Sequence, residues 1–178
     1  MKLEAHFLQI ARFETRRLKE LAEKALAQVP DDSLLHHELD DESNSLAVLM
    51  QHLGGNLRSR WTRFLDTDGE KPDRDRDREF ERNRAASRRD LMEIWERGWT
   101  CCLETLASLT EDDLAKKVRI RGEELSVPEA IQRQIVHSAY HVGQIVLFSK
   151  HLASARWQSL TIPRGGSKGA AGGYKKPV

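Results

Sequence analysis

"SVPEAIQRQIVHSAYHVGQIVLFSKHL", residues 126–152, begins with Ser and Glu three positions apart and has Pro128 between them. This is a capping box. The Ser hydroxyl and the Glu carboxylate accept backbone N–H groups that a helix start leaves without partners, and Pro brings no N–H needing one. Behind it, Ile131, Ile135, Val142, Ile145 and Val146 recur at helical spacing, so the stretch predicts an α-helix running to about Leu152. Val136, Leu147 and Phe148 flank the remaining arc. A helix apolar over so much of its circumference needs neighbours on several sides.

Those neighbours lie upstream. Leu3, Phe7, Ile10, Leu18, Leu21 and Ala25 follow one face of a segment from Leu3 to Gln28, which Pro30, Asp31 and Asp32 bring to an end. Ser45–Leu65 repeats the pattern with Leu46, Met50, Leu53, Leu57, Trp61 and Phe64. Arg84–Leu109 does so with Leu91, Ile94, Trp95, Trp99, Leu103 and Leu106. Between these two lies "DTDGEKPDRDRDREFERN", residues 66–83, whose Gly, Pro and dense mixed charge read as a surface loop with a solvated run inside it. After a capped turn at "TEDDL", the short alternation and Arg-Gly pair of "KVRIRGEELSV" predict a small hairpin before the last helix. Each of four apolar stripes needs a facing stripe, so the expected fold is all-α, a four-helix bundle over residues 1–163. The Gly/Lys-rich tail at 164–178 is expected to be mobile.

The charge balance narrows the function classes. Charged residues make up 32% of the chain but the formal net charge is +1, so no global field marks a nucleic-acid or membrane binder. Each Arg of the 73–78 run has an Asp neighbour, which argues against nucleic acid there as well. No apolar run is long enough to span a bilayer, and the N-terminal residues have no signal-peptide core. The two cysteines, Cys101 and Cys102, are adjacent and badly placed for an intramolecular disulfide, which suggests free thiols in a reducing cytoplasm.

His137 and His141 stand four apart, about one helical turn, and so leave the last helix on the same side. They face nearly away from its densest apolar arc, beside Arg133, Gln134, Tyr140 and Gln144. Two readings remain open on spacing alone: a wet helix face, or two ligands of a metal ion that needs a third. The third candidate is His52 in "LMQHLGGN", beside the apolar stripe of the second helix on the side of Ser45, Val48, Asn56 and Ser59. Gly54 and Gly55 follow at once, each costing about 1 kcal/mol in a helix. Close approach of another helix or a ligand would account for them, and a simple kink is the alternative. Tyr140 and Gln144 are candidates to orient ligands or substrate, and Asn56, Arg58 and Arg60 to line the pocket, with packing and surface ion pairing as the competing explanations. His6, His36 and His37 read as surface residues, and His151 as a complement to the helix dipole. Nothing places Cys101 or Cys102 near the histidines as nucleophiles.

"SLAVLMQHLGGNLRSRW" with "HSAYHVGQIVLFSKHL" resembles the DinB/YfiT-like superfamily of metalloenzymes. Within it, the chain is most similar to a branch known only as a domain of unknown function, where segments like "GNLRSRWTRFLDTDGEKP" and "SLTIPRGGS" recur. The resemblance extends to about Ser167. It implies an up-down-down-up four-helix bundle, often a homodimer. It also implies a divalent metal, commonly nickel or zinc, on three histidines matching His52, His137 and His141. Some members of the superfamily join a low-molecular-weight thiol to an electrophile, so the activity implied is a metal-dependent thiol S-transferase. The alternative is a non-catalytic metal-binding bundle acting as a structural or sensory homodimer.

Overall fold

A computed structural model describes residues 2–82 and 85–169. The expected helix start at Arg84 and the tail beyond 169 lie outside these. The chain is mostly helical: α1 (Leu3–Leu26), α2 (Leu46–Trp61), the one-turn α3 (Arg76–Glu79), α4 (Arg88–Ser108) and α5 (Val127–Ala153). Strands β1 (Lys117–Ile120) and β2 (Glu123–Ser126) form an antiparallel hairpin, with Lys117 opposite Ser126 and Ile120 opposite Glu123. Arg121 and Gly122 both take positive φ at its tip, the geometry of a tight hairpin turn.

Local chemistry sets the helix starts. Ser45 caps α2, while Ser87 with Asp90 and Ser126 with Glu129 form reciprocal capping boxes on α4 and α5. Helix α2 packs on α4 and α1 on α5, with α1 also touching α4 and α2 touching α5. The core between them holds Trp61, Trp95, Trp99 and a set of leucines. None of the described helices is long and apolar enough to cross a membrane.

Two expectations need correction. The buried stripe of α1 is Leu8, Ala11, Thr15, Ala22, Ala25 and Leu26, rotated by one residue from the expected face. Leu3 and Ile10 point outward at 79% and 37% exposure. Alanines occupy the middle of the stripe and let α1 sit close to its neighbours, leaving Phe7, Leu18 and Leu21 to fill the flanks. The second correction concerns residues 66–82, which are not a detached surface loop. Ser59 Oγ donates to the Gly69 carbonyl at 2.8 Å and accepts the Lys71 N–H at 3.1 Å. Asp68 accepts the backbone N–H groups of Glu70, Arg121 and Gly122, and Gly69 N–H donates to the Arg119 carbonyl. The segment is thereby bound to α2 on one side and to the hairpin tip on the other.

Candidate metal centre

The two glycines of α2 have separate structural reasons. A Cβ on Gly54 would stand 2.6 Å from the Ile94 carbonyl oxygen, and one on Gly98 would fall on the Gly54 backbone, so this pair is where α2 and α4 cross. A Cβ on Gly55 would collide with the Glu79 carboxylate. The helix is bare at that point so that Glu79, brought in by α3, can reach the neighbouring histidine.

That histidine is His52, 4% exposed. Its Nδ1 lies 3.0 Å from Glu79 Oε2. A carboxylate only accepts, so Nδ1 is the donor of this bond and Nε2 is the ring nitrogen turned toward the other histidines. Arg74 clasps the same carboxylate through Nε at 2.8 Å and Nη2 at 2.7 Å. Burial works against the Glu79 charge, but Arg74 and then His52 outweigh it and hold the carboxyl below its usual range.

Across the gap, α5 supplies His137 and His141. His52 Nε2 stands 3.3 Å from His137 Nε2, and the ligating nitrogens of all three rings lie within 4.8 Å of one another. His141 Nδ1 faces Gln144 Oε1 at 2.9 Å, which assigns the proton to Nδ1 and leaves Nε2 free. Burial first, then the neighbouring His141 and His52, push His137 down from the ordinary histidine value to about 3. Burial likewise lowers His141. Both rings are therefore neutral at neutral pH, the form that binds metal. Zinc–nitrogen bonds of about 2.0–2.1 Å in a tetrahedron put ligand nitrogens roughly 3.3–3.4 Å apart, which matches the His52–His137 separation.

The cluster opens into a cleft of about 250 Å³. Of the residues singled out from the sequence, Asn56 and Arg60 line this cleft with the three histidines. Asn56 Oδ1 is buried without a hydrogen-bond partner. Gln144 is positioned to orient His141, as its hydrogen bond shows. Tyr140 is 65% exposed and lies outside the cleft, its ring edge-on to His141 at 5.0 Å between centroids. Arg58 faces a different recess and pairs with Asp73 at 3.2 Å. His36 is more than a surface residue, since its Nε2–H donates to the Ala86 carbonyl at 2.8 Å. Cys101 and Cys102 are free thiols away from the cleft, and burial raises Cys102 well above the ordinary thiol value.

Sequence reasoning missed Glu79, Arg74 and Phe80, whose ring lies 4.7 Å from that of His52. The double glycine beside His52 was the available signal, because Gly55 is the imprint of the Glu79 contact.

Fold and site together define a mostly helical protein with three converging imidazoles, one of them oriented by a carboxylate. Residues 2–166 match the model of a family described as a protein of unknown function (DUF1572), and the chain belongs to that family. Among curated proteins, none matches the chain.

Proposed function

We propose that the chain is a metal-dependent enzyme holding a divalent ion, nickel or zinc, on His52, His137 and His141. The observation that carries this reading is the convergence of three imidazole nitrogens, within 4.8 Å of one another, at the wall of an open cleft. Three imidazole donors, with no cysteine or fourth protein ligand beside them among the described residues, suit a catalytic site with a free position better than a structural one. When bound, the ion supplies Lewis acidity that favours the deprotonated form of a coordinating thiol or water. The reaction class that follows is transfer of a low-molecular-weight thiol to an electrophilic carbon, with hydrolysis as the variant when water takes that place.

The chain's own residues set up this chemistry. Glu79 fixes the His52 tautomer and orientation, and Gln144 does the same for His141. Arg74 keeps Glu79 ionised, and Phe80 covers one side of the His52 ring. In arrangement we take the four long helices to be a DinB-like, up-down-down-up bundle. The packing of α2 on α4 and α1 on α5 supports it.

A second reading is a non-catalytic metal-binding homodimer, and the chain offers a surface on which two copies would meet. Helix α5 exposes Val136, Tyr140 and Leu147, a helical stripe of large apolar side chains, with the open backbone of Gly143 among them. Homodimerisation through this stripe is compatible with either reading.

Elemental analysis combined with a thiol-plus-electrophile turnover assay, on the wild type and His137→Ala, separates the readings. The enzyme reading expects near one equivalent of metal and turnover, both lost in the variant. Metal-loaded protein that turns over no thiol supports the second, and protein without bound metal rejects both.

A further inference from the structure

The lining of the cleft is strongly one-sided in charge. Arg60, Arg74, Arg76, Arg121 and Arg133 all face it, and no carboxylate is among its lining residues. The acids that serve these arginines stand behind them. Glu70 pairs with Arg60 at 2.8 Å and with Arg121 at 3.0 Å, and Glu79 pairs with Arg74. Arg76 is half exposed, stacks over Phe80 at 4.8 Å and has Asp77 only at 4.0 Å. Arg133 forms no ion pair with any described residue. Two carboxylates therefore serve three of the arginines, Asp77 touches a fourth only at 4.0 Å, and the excess positive charge points into the cleft.

Unused donors follow the same pattern. Arg74 Nη1 is buried without a hydrogen bond, standing 3.5 Å from Glu70 Oε1, and Trp61 Nε1, also on the lining, is buried without a partner. A recess rich in cations and free N–H groups, with no anion of its own, is complementary to a ligand bearing negative oxygen atoms.

We infer that this cleft is an oxyanion-binding pocket, in which the arginines hold the carboxylate or phosphoryl group of a small substrate while its other end reaches the three histidines. The inference rests on the metal-enzyme reading for the role of that second end, but the anion subsite belongs to the polypeptide alone. Guanidinium forks bind carboxylates and phosphates in two-point fashion, so a charged group would also fix the substrate's orientation in the cleft. Arg76 and Arg133, exposed and held by little else, are the residues free to meet it. Arg60 and Arg74, already engaged, form the fixed background of positive charge.

Calorimetric titration of EDTA-stripped protein with succinate, inorganic phosphate and uncharged succinamide at low salt tests this without activity. The expected result is saturable binding of at least one anion, none of succinamide, and about five- to tenfold weaker binding in the Arg76→Gln/Arg133→Gln double variant. The stronger of the two anions names the chemical class. Both substituted side chains are on the surface, so the variant should keep the wild-type melting temperature. Succinamide binding as well as succinate, absence of saturable anion binding, or unchanged affinity in the variant overturns the inference. Metal content, measured on the same preparations, keeps the two proposals apart. Anion binding in a protein that takes up no metal rejects only the metal reading, and a metal-binding protein indifferent to anions rejects only the pocket.

Discussion

Glu79 shows how much one side chain can set in this site. It meets His52, receives two hydrogen bonds from Arg74, and occupies the space a side chain at position 55 would need. Glu79→Gln should keep the helices but weaken metal affinity by about 10- to 100-fold, the usual effect of losing the carboxylate behind a ligating histidine. Competition with a chromophoric chelator measures it, and unchanged affinity would mean that His52 needs no carboxylate to hold its orientation. The histidines themselves were legible because helical spacing alone places His137 and His141 together and gives His52 a cleft-facing side. Glu79 was not legible. It follows a run of alternating charges with no apolar period to say which of them turns inward, and only the fold reveals that Arg74 and Glu79 are drawn under the surface.

At the scale of elements, the crossing of α2 and α4 depends on Gly54 and Gly98, whose backbones meet without intervening side chains. Gly98→Ala forces apart two packed backbones and should destabilise the protein by about 1–3 kcal/mol, read from urea unfolding. Gly55→Ala, which meets only the movable end of Glu79, should cost less stability and more metal affinity. The capping box of α5, the hairpin and most helix limits could be read directly, since Ser126, Glu129 and the Arg121-Gly122 pair act on their immediate neighbours. The inward face of α1 could not. Apolar periodicity marks Leu3, Phe7 and Ile10, yet closeness to two other helices decides burial and selects Ala11, Ala22 and Ala25 instead.

For the whole molecule, the outer stripe of α5 is an exposed apolar surface on which self-association can be tested. If two copies meet there, Leu147→Glu should shift the protein from dimer to monomer in sedimentation equilibrium while leaving metal content intact. Leu147 is 70% exposed and away from the cleft, so the substitution leaves the core and the histidines in place. A wild-type protein that sediments as a monomer removes the stripe from any role in self-association.

The attachment of residues 66–79 to both α2 and the hairpin also bears on how the chain is cut. Three arginines, Arg74, Arg76 and Arg78, each followed by Asp or Glu, punctuate its second half, and a protease selective for basic residues would meet them in an unfolded chain with little preference. In the fold, the Arg74 side chain is only 4% exposed and held by Glu79, whereas that of Arg76 is 49% exposed. Limited trypsin digestion should therefore begin at the exposed arginines and spare Arg74, and it should reach Arg74 early once Glu79→Gln loosens the clasp. The most charged passage of the sequence thus carries its own footprint, a protected bond among exposed ones, through which the integrity of the histidine cluster can be followed from outside.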